Sequence, residues 1–522
     1  MPTARALPVG ERAFLIEVDS LDDVLAVHAA LAASRPDGVT DLVPAARTVL
    51  VRLDPRAIGL AAARSWALST AADAIPVDRS DGPVVEVPIT YDGEDLAATA
   101  GLLGLSPEAL AQRHAAADWR VAFTGFAPGF GYLVSPDWTF DVPRLETPRT
   151  RVPAGAVGLA AAFTGAYPRD TPGGWRLIGT TPARLFDPDA DSPVLLAPGA
   201  RVRFRPEPAA LTAAGPAAEP AATGPGAAGS GSGGGIRVIE AGLLATLQDL
   251  GRPAAASLGV SPSGALDRGA LRTANRLLGN DEGATGVEVT MGGFAAVAEV
   301  DLWCAVTGAW GAVRLDGRDI DPYEAHAWPA GAELRMDWFT QGARGYLAVR
   351  GGFDGRVVLG SRATDLLAGL GPAPLKAGDR VGVRDDHVGP IPITPVAPWG
   401  APHDDELVLE LAPGPRADWF SASARDTLFE AVWTVSAAAD RVGARLDGPE
   451  LERVRAGELP SEGMAPGALQ VPPSGRPTIL LADGPVTGGY PVIAVVTDAS
   501  LDALAQARPG TRIRFRHARP LG

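Results

Sequence analysis

Apolar and polar positions alternate between helical and strand spacing at first, and keep a strand rhythm later. Residues 13–18 (AFLIEV), 39–43 (VTDLV) and 48–53 (TVLVRL) are compact apolar runs of strand length, while 21–33 and 55–71 place apolar residues at helical spacing. Residues 84–89 (VVEVPI) read as a returning strand, and the order predicts a small split-βαβ sandwich over 1–82. Two short helices follow, the second capped by Ser106, with Pro107 in its first turn, and running to His114.

Beyond Val121 the chain becomes short strands broken by Gly and Pro turns, the pattern of barrels and sandwiches. PGARVRFR (198–205), AGDRVGVR (377–384) and PGTRIRFR (509–516) share a turn glycine and then a strand with arginines on one face. Upstream of the first two, IGTTPARLF (178–186) and LGSRATDLL (359–367) also correspond loosely. These repeats predict three related β-barrel units, at 83–206, 236–386 and 387–522. Residues 207–235 are nearly all Ala, Gly, Pro, Ser and Thr, with Leu211 the only large apolar residue, and end GSGSGGG. Such a segment cannot bury enough surface to fold; it predicts a flexible linker spanning roughly 30 Å. The expected fold is mainly β with an α+β N-terminal lobe.

Composition narrows the chemistry. The formal charge is −15, which argues against a nucleic-acid surface. Lys376, in PLKAGD, is the one lysine, so no GxxxxGK[ST] phosphate loop and no Met-Lys-Met biotin segment exists. Cys304, the one cysteine, lies in the apolar run DLWCAVTGAW and reads as a buried thiol. The six histidines form no HExxH-like pair, so no metal site is expected. With no charged-then-apolar leader and no stretch of about 18 apolar residues, the chain reads as a soluble cytoplasmic protein.

The densest signal runs from 123 to 179: FTGFAPGFGYL (123–133), TPRTRVPAGAVG (147–158), TGAYP (164–168) and TPGGWRLIG (171–179). Strands avoid so much glycine unless the backbone bends or approaches something closely. This segment resembles the family that holds the 5-oxoprolinase B subunit, the sporulation-kinase inhibitor KipI and the allophanate hydrolase subunit 1 region of urea carboxylase. GLLATLQDLGRP (242–253), LGVSPSGALD (258–267), VEVTMGG (287–293), SEGMAPGALQVPPSG (461–475) and LLADGPVTGGYP (480–491) resemble the 5-oxoprolinase C subunit, also called allophanate hydrolase subunit 2 or KipA-like. The resemblance implies the B and C subunits fused in one chain, and one cyclophilin-like barrel in the B half with two in the C half. The chain departs from the family pattern at Ala161 for a glycine, Phe163 for an amide, Ala444 for a tyrosine and Val492 for a lysine.

Candidate site residues follow from both readings. His114 falls where the family also has a histidine; an imidazole shuttles protons near neutral pH. Asp483 is the second proton-transfer candidate, and Glu462 a further acid. Arg149, Arg151 and Arg441 have forks suited to carboxylate or phosphate oxygens. Phe126, Pro128, Gly129, Phe130 and Tyr132 would line the site, with Tyr167 and the Gly173-Gly174-Trp175 turn offering a hydroxyl, backbone N–H groups and a flat wall. The C half adds Gln248, Asp249, Arg252, Ser263, Asp267, Asp440, Gln470, Thr487, Gly488, Gly489 and Tyr490. Asp267 equally reads as a helix cap. TGAYP and TGGYP read as equivalent turns, and the site is expected at the junction of the halves.

The resemblance leaves three functions open. The first is an ATP-dependent 5-oxoprolinase, opening a lactam to glutamate with a separate A-type (LamB/YcsF-like) subunit that holds or shares the ATP. The second is a carboxyltransferase served by a separate biotin carboxylase and biotin carrier, with no covalent biotin on this chain. The third is a KipI-like regulator of a histidine kinase.

Overall fold

The computed structural model describes residues 4–75, 84–208, 234–386, 388–392, 400–403, 405–455, 457 and 459–519. The N-terminal lobe is an antiparallel sheet in the order Arg5–Pro8, Ala13–Glu17, Thr48–Leu53, Val39–Pro44, carrying the helices Leu21–Ala33 and Leu60–Ala72. Ala13–Glu17 and Val39–Pro44 flank Thr48–Leu53, so Leu21–Ala33 is the crossover of a split βαβ unit. Strand alternation sorts the two faces. Phe14, Ile16, Val49 and Val51 pack on the helices, whereas Ala13, Leu15, Val43 and Leu50 pack on Met464, Leu480, Val492 and Val495. A sheet apolar on both faces thus joins the lobe to the far end of the chain.

Three details of the lobe differ from expectation. Arg5–Pro8 is an edge strand that closes on a proline and gives no apolar run to read. The second helix starts at Leu60, not at 55. Asp54 Oδ1 accepts the Arg56 N–H at 3.0 Å and its carbonyl takes the Ala57 and Ile58 N–H groups, leaving Gly59 as N-cap. Val84–Ile89 does not return to the lobe; it runs parallel to Arg201–Pro206 in the next sheet, where Val87 and Ile89 are buried.

That sheet has the order Arg176–Thr180, Ala156–Ala160, Phe163–Ala166, Gly131–Val134, Trp119–Thr124, Arg201–Pro206, Val84–Ile89. Thr90 and Thr180 exchange backbone hydrogen bonds of 2.9 and 2.8 Å that close it into a ring. A second closed barrel runs Glu406–Pro413, Val492–Val496, Ala468–Gln470, Thr478–Leu480, Gly443–Asp447, Trp433–Val435, Arg512–His517. The two rings share one plan. Val85 lies beside Val202 and Leu407 beside Ile513, first strand parallel to last in each. A serine-capped helix follows the first strand, with Ser106 and Ser421 as caps. Trp119 then donates to the His114 carbonyl at 2.8 Å, and Trp433 to the Leu428 carbonyl at 3.1 Å. His114 and Leu428 therefore occupy the same place in two barrels.

Between the rings, a six-stranded and a five-stranded sheet enclose a core that includes Ile236, Val289, Phe294, Leu334 and Leu347. The three repeated endings become two ring-closing strands and one edge strand of the six-stranded sheet. Arg201–Pro206 and Arg512–His517 close their rings in parallel, whereas Arg380–Gly382 pairs antiparallel with Gly235–Ala241. Of the expected linker, 207–235, residues 209–233 lie outside the described residues; at its ends the Glu207 N–H donates to the Ile89 carbonyl and Gly235 opens the strand Gly235–Ala241.

Ala161, where the resemblance expects glycine, holds φ 51°. A left-handed alanine costs about 1–2 kcal/mol, partly offset because glycine gives the unfolded chain more freedom. Ala161→Gly is therefore expected to stabilise the chain by about 0.5–1 kcal/mol in urea unfolding; an unchanged or lower midpoint would remove strain as the explanation.

Candidate active site

The segment 123–133 is where the two halves meet. Thr487 Oγ1 accepts the Phe126 N–H at 2.9 Å, and the Gly129 N–H reaches the Leu258 carbonyl at 3.2 Å. Phe126 holds φ 67°, and a Cβ on Gly125 would lie 2.3 Å from Thr487 Oγ1, so the approach requires glycine. Pro128 is buried with Gly129 in the turn. Behind it Phe130 packs edge-on at 5.1 Å from Tyr167 and 5.2 Å from Trp175, with Tyr132 and Phe123 stacked alongside. The Tyr167 hydroxyl covers Gly173, where a Cβ would be 2.6 Å away. The turn 125–129 is therefore a fastening between halves, while the aromatics behind it pack within the B half.

Beside this seam lies a buried charge network. Arg441 Nε donates to Asp483 Oδ2 at 2.9 Å, Nη1 to Glu288 Oε1 at 2.5 Å and Nη2 to the Gly264 carbonyl at 2.6 Å. Ser263 Oγ donates to Asp483 Oδ1 at 2.7 Å, and the Tyr346 hydroxyl to Glu288 Oε2 at 2.8 Å. Burial alone would raise Glu288 and lower Arg441; the opposite charges reverse both, holding Glu288 below and Arg441 above their ordinary values. Arg441, Glu288 and Asp483 spend their charged atoms on one another. They form a scaffold.

Against the scaffold lie polar atoms the chain does not satisfy. Gln248 Oε1, Arg252 Nη1, Asp365 Oδ2 and, from the B half, Arg169 Nη1 are buried without a hydrogen-bond partner. Gln248 Nε2 donates to the Thr364 carbonyl at 3.0 Å, Ser263 Oγ lies 3.2 Å from the same oxygen, and Arg252 donates to the Ala363 carbonyl. Arg169 Nη1 is 3.9 Å from where a Cβ on Gly369 would stand, and it senses the charge of Asp365. Asp365 lies in the wall of a cleft of about 820 Å³ with Leu247, Leu370 and the 371–375 turn, its Oδ2 buried, while Gln248, Arg252 and Arg169 lie outside that wall. Burial and the nearby Asp483 push the Asp365 carboxyl up to about 6, a value suited to proton transfer near neutrality. One acceptor, two guanidinium donors and one such carboxyl are thus left without a partner in this part of the fold.

Asp365 and Arg169 are absent from the sequence candidates, although LGSRATDLL stood out as a repeat and Arg169 directly follows TGAYP. Several candidates have other partners. Arg149 is tied to Glu94 at 2.6 Å and Asp95 at 2.8 Å, and Arg151 pairs with Asp170 at the surface. Glu462 binds Arg416, which also reaches Glu17 of the lobe at 2.6 Å. Asp440 Oδ1 accepts the Val442 and Gly443 N–H groups of its own turn. Asp267 caps the helix Arg268–Leu277 through Ala270 N–H at 2.8 Å and takes Gln506 Nε2 at 2.7 Å. Asp249 accepts Ser361 Oγ and the Arg362 N–H, both at 2.7 Å. Gln470 lies beside Gly488, Gly489 follows it, and Tyr490 is exposed. Gly173 pairs with Arg149, and the Gly174 carbonyl takes the Leu145 N–H. Ala444 and Val492 sit in apolar cores.

TGGYP and TGAYP hold different places. Strand order aligns Val492–Val496 with Arg176–Thr180, so TGGYP corresponds to TPGGW, while TGAYP runs through Phe163–Ala166. His114 is wholly buried in the first barrel, between the Tyr91 hydroxyl at 2.8 Å and Thr164 Oγ1 at 2.9 Å. Burial pushes its imidazole down to about 3, so it is neutral and walled off at physiological pH. His114→Leu, copying Leu428, is expected to cost about 1–3 kcal/mol through lost hydrogen bonds and to leave turnover within a few-fold. A rate loss beyond about 10² with folding intact would return His114 to the chemistry.

Comparison with known proteins divides the chain where the geometry does. Residues 4–196 match the family "Carboxyltransferase domain, subdomain C and D", and 258–517 match "Carboxyltransferase domain, subdomain A and B". The C subunit of 5-oxoprolinase from Escherichia coli (strain K12) is 37% identical over 54% of this chain and 90% of its own length. The B subunit from Escherichia coli O157:H7 is 47% identical over 24% of this chain and 58% of its own. Urea amidolyase of Saccharomyces cerevisiae is 30% identical over 54% of this chain and 16% of its own. The crystal structure of TTHA0988 superposes with TM-score 0.82 at 37% identity, covering 97% of this chain and 99% of that one.

Proposed function

The chain belongs to the carboxyltransferase-domain family, homologous to the B and C subunits of 5-oxoprolinase and to the carboxyltransferase region of urea amidolyase, and on that footing we propose that it is the fused B and C component of an ATP-dependent 5-oxoprolinase. The observation that carries this reading is a set of four buried unpartnered atoms, two guanidinium N–H groups, an amide oxygen and a carboxyl oxygen, with Arg169 of the B half and Arg252 both feeling the charge of Asp365. Arg169 and Arg252 would hold the substrate carboxylate, and Gln248 Oε1 would accept the lactam N–H. Asp365 Oδ2 would take a proton from the attacking water and return it to the departing ring nitrogen. The scaffold of Arg441, Asp483 and Glu288 would keep the 363–366 segment in place. ATP, when bound, supplies activation of an otherwise unreactive amide oxygen. In this reading the enzyme is completed by a separate A-type partner.

The family and the urea amidolyase match favour a second reading, a carboxyltransferase served by a separate biotin carboxylase and carrier. Mixing the chain with an A-type partner should give 5-oxoproline-dependent ATP hydrolysis, with little from either protein alone. No turnover with that partner, but biotin-dependent carboxylation of an amide, would replace the first reading by the second.

A further inference from the structure

We propose that a second cleft, between the N-terminal lobe and the C half, binds an oligophosphate anion of nucleotide size. It holds about 550 Å³ and is ringed by Arg12, Arg52 and Arg56 of the lobe and by Arg268 and Arg272. Arg268 and Arg272 stand one turn apart on the helix Arg268–Leu277 and so face the same way.

Six acids also line this cleft, and all but Glu11 are already engaged, Asp249 by Ser361 and Arg362. Asp41 accepts the Leu42 and Ala256 N–H groups at 3.0 and 2.9 Å, and Asp502 the Arg268 N–H at 3.0 Å. Asp54 holds Arg56, and Asp498 holds Arg12. Among the described residues, the guanidiniums of Arg52 and Arg268 take no hydrogen bond, only the pull and push of nearby charges. Arg268 also sits in the first turn of its helix, where the dipole disfavours a cation. Burial and the positive charges of Arg52, Arg272 and Arg12 push it down to about 10. A fold that keeps unpaired, mutually repelling arginines half-buried gains most from an anion placed between them. Their planar forks match phosphate oxygens. Leu250, Pro253, Ala254 and Leu481 give one wall apolar surface on which a base could lie.

The inference rests on the lactam reading only for the identity of the nucleotide. Titration calorimetry of the full chain with ATP and with inorganic tripolyphosphate tests it at low ionic strength, where exposed charges are least screened. Arg52→Ala and Arg268→Ala should each weaken ATP by about 10- to 100-fold, the loss of one or two charge-assisted hydrogen bonds. Arg314→Ala, at a half-buried arginine on another sheet that pairs with Asp319 and Asp337, should not. Without ligand the two variants should melt within a few degrees of wild type, since no hydrogen bond is lost, only the attraction of Arg52 for Asp41 and of Arg268 for Asp502. Tripolyphosphate equal to ATP assigns the site to phosphate alone, and tighter ATP adds the base; both support the proposal. Equal ATP affinity in wild type and both variants, or no binding of either anion, overturns it. ATP bound here without lactam turnover upholds the site and removes only the lactam reading.

Discussion

Asp365→Asn is expected to cut turnover of the assembled enzyme by about 10²–10⁴, the loss typical of a positioned acid–base group, without lowering the melting temperature. Asparagine keeps an oxygen for the Ala368 N–H, which Asp365 Oδ1 accepts at 2.8 Å, and removes only the titratable one. The carboxyl is raised from 3.8 to about 6 by burial and by Asp483, so the native state holds a proton that the unfolded chain releases. Stability linked to this group is whole below pH 3.8 and is lost as pH rises through about 6. The asparagine variant carries no such loss, so at pH 7 it should be as stable as wild type or more so. The rate of the wild type should rise with pH on a limb near 6, and that limb should vanish in the variant. A wild-type rate for Asp365→Asn would place the chemistry elsewhere.

Arg441→Met should be the most destabilising single change in the C half. It removes the cation shared by Asp483 and Glu288, whose side chains are 0% and 1% exposed. Breaking such a pair from one side costs about 3–5 kcal/mol, a large share of the roughly 5–15 kcal/mol that holds a domain together. Urea unfolding at pH 7 measures it. The triple variant Arg441→Met, Asp483→Asn, Glu288→Gln should recover much of the loss, because neutral polar groups tolerate burial far better than unpaired charges. A single variant within about 1 kcal/mol of wild type would show that water enters the network.

Much of the fold was legible because period and turn chemistry are local. The lobe's helix at 21–33 was read to the residue, and the glycine-rich segment marked a close approach because only Gly125 fits beneath Thr487. The candidate site was less legible. Asp365 resembles any aspartate in a loop until the chain brings Gln248 and Ser263 onto the Thr364 carbonyl. Arginines mislead for the opposite reason: Arg149 has the flanking prolines of a rigid binding arm, yet Glu94 and Asp95 take its fork. His114 drew attention because it falls where the family also has a histidine, while the equivalence with Leu428 exists only in the strand order.

The parallel pairing of first and last strands has a consequence for how the protein is made. In each ring these neighbours stand roughly a hundred residues apart in sequence. A ribosome therefore releases Val84–Ile89 well before Arg201–Pro206, and meanwhile one side of the early strand offers bare N–H and C=O groups to any passing chain. Closure entropy grows only slowly with such a span, so the burden falls on the speed of folding, which long-range pairings slow. The last strand also receives Trp119–Thr124 in the first ring and Trp433–Val435 in the second. Translation that halts a few codons before either closing strand leaves an open sheet with two unpaired edges, the kind of species that chaperones and proteases recognise. Each barrel is thus a latch that shuts only once its own last strand has been made.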